Sequence, residues 1–154
     1  MKLAEALLER KSIKEQIGNL KARARQDARV QEGDEPSELP EFLVAEIEAL
    51  LVRLEKLITL INKTNINAHL PGGQSLMEAI AHRDMLKMHH QLIKDLADSA
   101  SPERDTWRQT KSEIKFRPTI DVAEYRRKAD KIAKEYRELD SQIQSANWTI
   151  DISE

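Results

Sequence analysis

The residues best suited to chemistry gather in one stretch of the chain. Three of the four histidines, His82, His89 and His90, stand there among arginine, lysine and aspartate. Glu78, His82 and His89 fall in one sector of a helix and superficially resemble a metal-binding edge. His82 and His89, however, are two turns apart, about 10 Å along a helix axis, and two imidazoles so separated cannot share one ion. We therefore expect no metal site, with His82 and His89 as its only candidate ligands, and read these histidines as a packing seam. Arg83, Lys87, His90 and Lys94 recur at i, i+4, i+7 and i+11, a continuous basic stripe. Such a stripe can bind phosphates, receive an acidic helix face or stand solvated. In a chain of net charge -2 with no Gly-rich phosphate loop, the last two rank above the first.

A second polar set, Asn62, Thr64 and Asn65, interrupts an otherwise apolar stripe, with Thr64 on its core register. Buried polar groups must find hydrogen-bond partners or cost about 1–3 kcal/mol each. Joined by a short turn to Arg83, Asp84 and His90, this set forms a candidate ligand site of six residues. The competing reading is a buried hydrogen-bond network that fixes helix register.

Enzyme signatures are missing. The chain has no G-x-x-x-x-G-K-[ST], no G-x-G-x-x-G, no H-E-x-x-H, no G-x-S-x-G and no E-x-x-H. Glu38/Glu41 and Glu135/Glu138 supply the E-x-x-E half of a magnesium-dependent pyrophosphohydrolase, but no E-x-x-D follows either pair. No catalytic residue and no cofactor is implied.

The elements that would position these residues are helices. Of 154 residues 34% are charged and only 4% aromatic, with four Gly and five Pro, which excludes an all-β fold. Heptad-spaced apolar residues predict a helix over about 2–30 (Leu3, Ala6, Ile13, Ile17, Leu20) and another over 40–67 (Leu43, Ile47, Leu50, Leu54, Leu57, Ile61). Between them, residues 32–41 hold five acids and no base, and Gly33 and Pro36 break the helix. This acidic connection compensates the basic end of the first helix. Leu70-Pro71-Gly72-Gly73-Gln74 is a turn, after which Ser75 and Glu78 form a capping box for a third helix over 76–100.

That third helix has two apolar faces. Met77, Ala81, Met85, Met88, Leu92 and Leu96 share one, and Ala79, Leu86, Ile93 and Ala97 share the other, so it is sandwiched within the fold or between fold and partner. Asp121 and Glu124 cap a fourth helix over 122–147, whose heptad set Val122, Tyr125, Ala129, Ile132, Tyr136, Leu139, Ile143 and Ala146 is apolar throughout. Period-two alternation at 112–117 and 148–152 predicts two short strands that could pair. The expected fold is all-α: a single domain over 1–154, an elongated antiparallel bundle or set of coiled-coil hairpins with a minor two-stranded β element.

Several short blocks also resemble a bacterial family often labelled septicolysin or septicolysin-like. They are Lys2-Leu3-Ala4-Glu5-Ala6-Leu7, Val30-Gln31-Glu32-Gly33, Asn62-Lys63-Thr64-Asn65, Arg83-Asp84 with His90, Ser112-Glu113-Ile114-Lys115 and Asn147-Trp148-Thr149. The residue before Arg83-Asp84 is usually acidic in that pattern, so His82 departs from it. The resemblance implies a helical fold and a homo-oligomer, a dimer or a higher form such as a hexamer, and brings no established activity. A lytic role is set aside, because a pore former needs an export route and a membrane-lining segment, whereas these helices carry charges along one face.

With no cysteine there is no disulfide framework and no Cys-ligated metal. Acids at Glu5 and Glu9 interrupt what a signal peptide would need, and the expected location is the cytoplasm. The leading expectation is a homo-oligomeric helical scaffold or interaction protein whose partner is itself. Alternatives are a small-molecule or phosphate-binding enzyme at the junction of the second and third helices and, ranked lower, nucleic-acid binding through basic helix faces.

Overall fold

A computed structural model describes residues 1–101 and 115–152. Among them the chain forms four helices: α1 (Leu3–Gln26), α2 (Pro40–Asn67), α3 (Leu76–Ala100) and α4 (Val122–Thr149). The class is all-α. No sheet occurs among the described residues, only two isolated bridges, Lys2 with Asp151 and His69 with Ser75. The helices sort into two compact units, one comprising Met1–Leu76 with the chain from Gln144 onward, the other Met77–Ile143.

In the first unit α1 and α2 pack as an antiparallel pair. Ion pairs at two levels fix the register, Glu9 with Arg53 and Arg23 with Glu38. The heptad residues Leu3, Ala6, Ile13 and Leu20 of α1 and Leu43, Leu54, Leu57 and Ile61 of α2 are buried. The first helix stops at Gln26, short of the expected end near Val30. Its last turn is diverted because the Asp27 carboxylate accepts the backbone N–H of Glu38 at 3.0 Å, while Arg23 reaches the Glu38 carboxylate. The acidic connection thus compensates the basic helix end through one named pair. Arg23 holds Glu38 below the usual carboxylate range by hydrogen bonding.

The turn after α2 is built as its residues demand. Gly73 N–H donates to the Leu70 carbonyl at 2.8 Å across Pro71-Gly72, and Gly73 takes a φ of 83°, the left-handed region that glycine adopts without steric cost. The end of α4 belongs to this unit too. Here the β expectation needs correction: α4 continues through Trp148 and Thr149, with Thr149 Oγ1 donating to the Ser145 carbonyl at 3.0 Å. Only Asp151 bridges, and its partner is Lys2. Leu3 N–H donates to the Ile150 carbonyl at 2.9 Å and Ile152 N–H to that of Met1 at 3.0 Å, so the two chain ends satisfy each other. Half of the strand expected at 112–117 lies outside the described residues, and Lys115, Phe116 and Arg117 carry no strand.

In the second unit α3 and α4 run antiparallel. Leu86 and Ile93 of α3 pack with Ala129 and Ile132 of α4, and Tyr125, Tyr136 and Leu139 flank them half-buried. Asp121 caps α4, its Oδ1 accepting the Glu124 N–H at 3.0 Å.

Candidate functional site

The basic stripe of α3 does not survive as a continuous surface. Arg83, at one end, donates to Asp84 at 2.9 Å and to Asp140 of α4 at 3.2 Å. Burial opposes its charge, but the hydrogen bonds to Asp84 and Asp140 outweigh that and keep the guanidinium above its ordinary value. Lys94, at the other end, donates to Asp98 at 2.9 Å, and Arg126 of α4 holds the second oxygen of the same carboxylate. Hydrogen bonds from Arg126 and Lys94 pull the Asp98 carboxyl down to about 2. Both ends of the stripe therefore meet acids. These include Asp140, 57 residues along the chain from Arg83, and Asp98 is tied to Arg126, 28 residues away.

The middle of the stripe is different. Lys87 and His90 of α3, with Ala133, Tyr136 and Arg137 of α4, line a pocket of about 260 Å³. Lys87 and Arg137 form no ion pair among the described residues. The side chains that line this largely apolar pocket thus include a lysine, an arginine, a histidine and a tyrosine. That set suits a small anion with an apolar body: bidentate hydrogen bonds from guanidinium, a point charge from lysine, and ring contact from Tyr136. Periodicity marked Lys87 and His90; Tyr136 and Arg137 were missed, because each reads locally as heptad core or solvated face.

The six-residue junction site is not assembled within either unit. Asn62, Thr64 and Asn65 end α2 in the first unit, and Arg83, Asp84 and His90 lie on α3 in the second. Asn62 is exposed and Asn65 half-buried. Thr64 is buried, and its Oγ1 has no hydrogen-bond partner among the described residues. Of the six, Thr64 is the buried member, and the described residues supply its hydroxyl with no place in a hydrogen-bond network. His82 and His89 are exposed on α3, and among the described residues no group of three or more His, Asp or Glu could hold a metal ion.

The other large feature of α3 is apolar. Ala79, Leu86, Ile93 and Ala97 are buried, at 0%, 8%, 5% and 0% exposure. On the second apolar face Met77, Met85, Met88, Leu92 and Leu96 remain 50%, 56%, 66%, 56% and 42% exposed. With exposed Ala81 they occupy an arc of about 100°. Within its own unit, α4 packs on the opposite face, at Leu86 and Ile93, and no described helix is long and apolar enough to cross a membrane.

A profile described as a family of unknown function (DUF6847) matches residues 10–152. The chain belongs to this family. The matched stretch contains most of α1 and all of α2, α3 and α4, hence the pocket and the ridge. No curated protein matches the chain. Among solved structures, the crystal structure of a functionally unknown conserved protein from Corynebacterium diphtheriae is 39% identical, with a TM-score of 0.93 and 99% of each chain covered. A protein 39% identical to this chain thus has the same helical fold in an experimental structure, and neither it nor the DUF6847 family brings an activity with it.

Proposed function

We propose that this DUF6847 protein is a cytoplasmic helical scaffold or interaction protein that works by associating with copies of itself, with no identifiable catalytic activity. The supporting observation is the ridge of α3. Five large apolar side chains, each at least two-fifths exposed, line one helix face, and patches of that kind on a folded chain mark interaction surfaces. Each is about half exposed, so covering all ten on two copies is worth roughly 8–16 kcal/mol before the cost of association, at about 1.5–3 kcal/mol per fully buried side chain. Losing translational and rotational freedom costs about 4–15 kcal/mol, so micromolar self-association lies within reach. The resemblance to septicolysin-like proteins, which implies a homo-oligomer, supports the same reading. Light scattering after size exclusion tests it: the expected mass is an integral multiple of 17.7 kDa at tens of micromolar, and 17.7 kDa at every concentration would refute it.

A second reading, binding of a small organic anion, is favoured by the pocket between Lys87, His90 and Arg137. Phenyl phosphate is a suitable probe. Titration should move the ring resonances of His90 and Tyr136, and Arg137→Gln combined with Lys87→Gln should weaken binding at least tenfold. Rings that do not respond at millimolar probe would remove this reading.

A further inference from the structure

We propose that two copies pair through α3 laid antiparallel on itself, about a two-fold axis passing between Met85 and Met88. This inference rests on the self-association reading and adds its geometry. Along the ridge, Met77, Ala81, Met85, Met88, Leu92 and Leu96 are separated by four, four, three, four and four residues, a spacing that reads the same from either end. A two-fold axis across the helix therefore sets Met77 against the partner's Leu96, Ala81 against the partner's Leu92, and Met85 against the partner's Met88. Every ridge side chain meets an apolar one. Such an interface is isologous and closes on itself, whereas a copy shifted by one turn leaves apolar side chains uncovered at both ends.

Two further features fit this arrangement. Antiparallel neighbours set opposite ends of the helix macrodipole side by side, while parallel copies stack like ends together. The size is also right. The ridge runs about 28 Å along the helix, and its five large side chains present about 500 Å² of apolar surface per copy, at the upper end for a monomer patch. The exposed flanking residues His82, Asp84, His89, Gln91 and Asp95 bring the face toward the roughly 800 Å² per partner of a standard interface.

The chain has no cysteine, so introduced thiols report cleanly. In an antiparallel pair Ala81 faces the partner's Leu92, while two copies of residue 81 lie about 16 Å apart along the axis. The double variant A81C/L92C should therefore form a covalent dimer under mild oxidation or with a short bismaleimide, and A81C alone and L92C alone should not. Circular dichroism checks that each variant keeps its helix content, and light scattering gives each one's mass. Cross-linking of A81C alone would overturn the antiparallel register in favour of a parallel one. A dimer by light scattering with no cross-link in the double variant would overturn the pairing and leave self-association standing. A monomer by light scattering would overturn both.

Discussion

Replacing Met88 with alanine probes the ridge at its centre. Met88 is 66% exposed, so about two-thirds of its side chain is available to a partner. Full burial of a methionine is worth about 1.5–3 kcal/mol, so each copy contributes roughly 1–2 kcal/mol. In a two-fold interface the substitution is made twice, and the loss becomes about 2–4 kcal/mol. At 1.4 kcal/mol per decade, that weakens the dimer roughly 30- to 1000-fold. Sedimentation equilibrium over a hundredfold concentration range measures this directly. The same substitution should leave the isolated chain's stability within about 0.5 kcal/mol, because surface changes without buried contacts have little effect. Met88→Leu, which keeps the apolar surface, should hold the dissociation constant near the wild-type value. If Met88→Ala leaves the mass distribution unchanged, the ridge is not the contact, and the reasoning from its exposure fails.

Other perturbations test the description of the chain itself. Thr64→Val removes a buried hydroxyl that has no partner among the described residues and should stabilise the fold by about 1 kcal/mol, a rise in Tm of roughly 2–4 °C for a chain of this size; a drop in Tm would show that the hydroxyl is held by a ligand or water. Gly18, exposed in the middle of α1 with open space where a Cβ would project, and Gly73, equally open but at φ 83°, should respond oppositely to alanine. Gly18→Ala should gain about 0.8–1 kcal/mol in thermal or urea unfolding, while Gly73→Ala should lose about 1–2 kcal/mol. Equal signs would contradict the assigned backbone. Asp98 has its carboxyl drawn from the ordinary value of 3.8 to about 2 by Arg126 and Lys94. A depressed folded value means that its contribution is present above pH 3.8 and is lost as pH falls through 2. Asp98→Asn should therefore flatten that part of the urea-midpoint profile between pH 4 and 2, and an unchanged profile would remove the pair from the account.

Local pattern made much of the fold legible. Heptad spacing located the cores of α1, α2 and α4, since Leu3, Ile13, Leu54, Ile61, Ala129, Ile132 and Ile143 are buried where the stripe placed them. The split of α3 into two apolar faces was also legible, because helical periodicity reports a face whether or not a partner is present to cover it. Two features depended on what lies across the chain. The stripe of Arg83, Lys87, His90 and Lys94 looks continuous on its own helix, and only the placement of Asp140 and Arg126 by α4 divides it. The alternation at Trp148–Ile152 is real in the sequence, but helix continuation through Thr149 and pairing of Ile150 and Ile152 with the N-terminal backbone override it. The junction site was inferred from nearness along the chain, yet its polar groups on α2 and on α3 fall in separate units.

The methionines offer the most direct test of the central claim, that α3 meets another copy of the chain. Of the four in the sequence, Met77, Met85 and Met88 lie on the ridge, and Met1 does not. Their methyl resonances, recorded with a soluble paramagnetic probe over a dilution series, report exposure one residue at a time. The three ridge methyls should be shielded at high concentration and broaden on dilution as the copies part, while Met1 should broaden equally throughout. Ridge methyls whose broadening does not depend on concentration would contradict the claim.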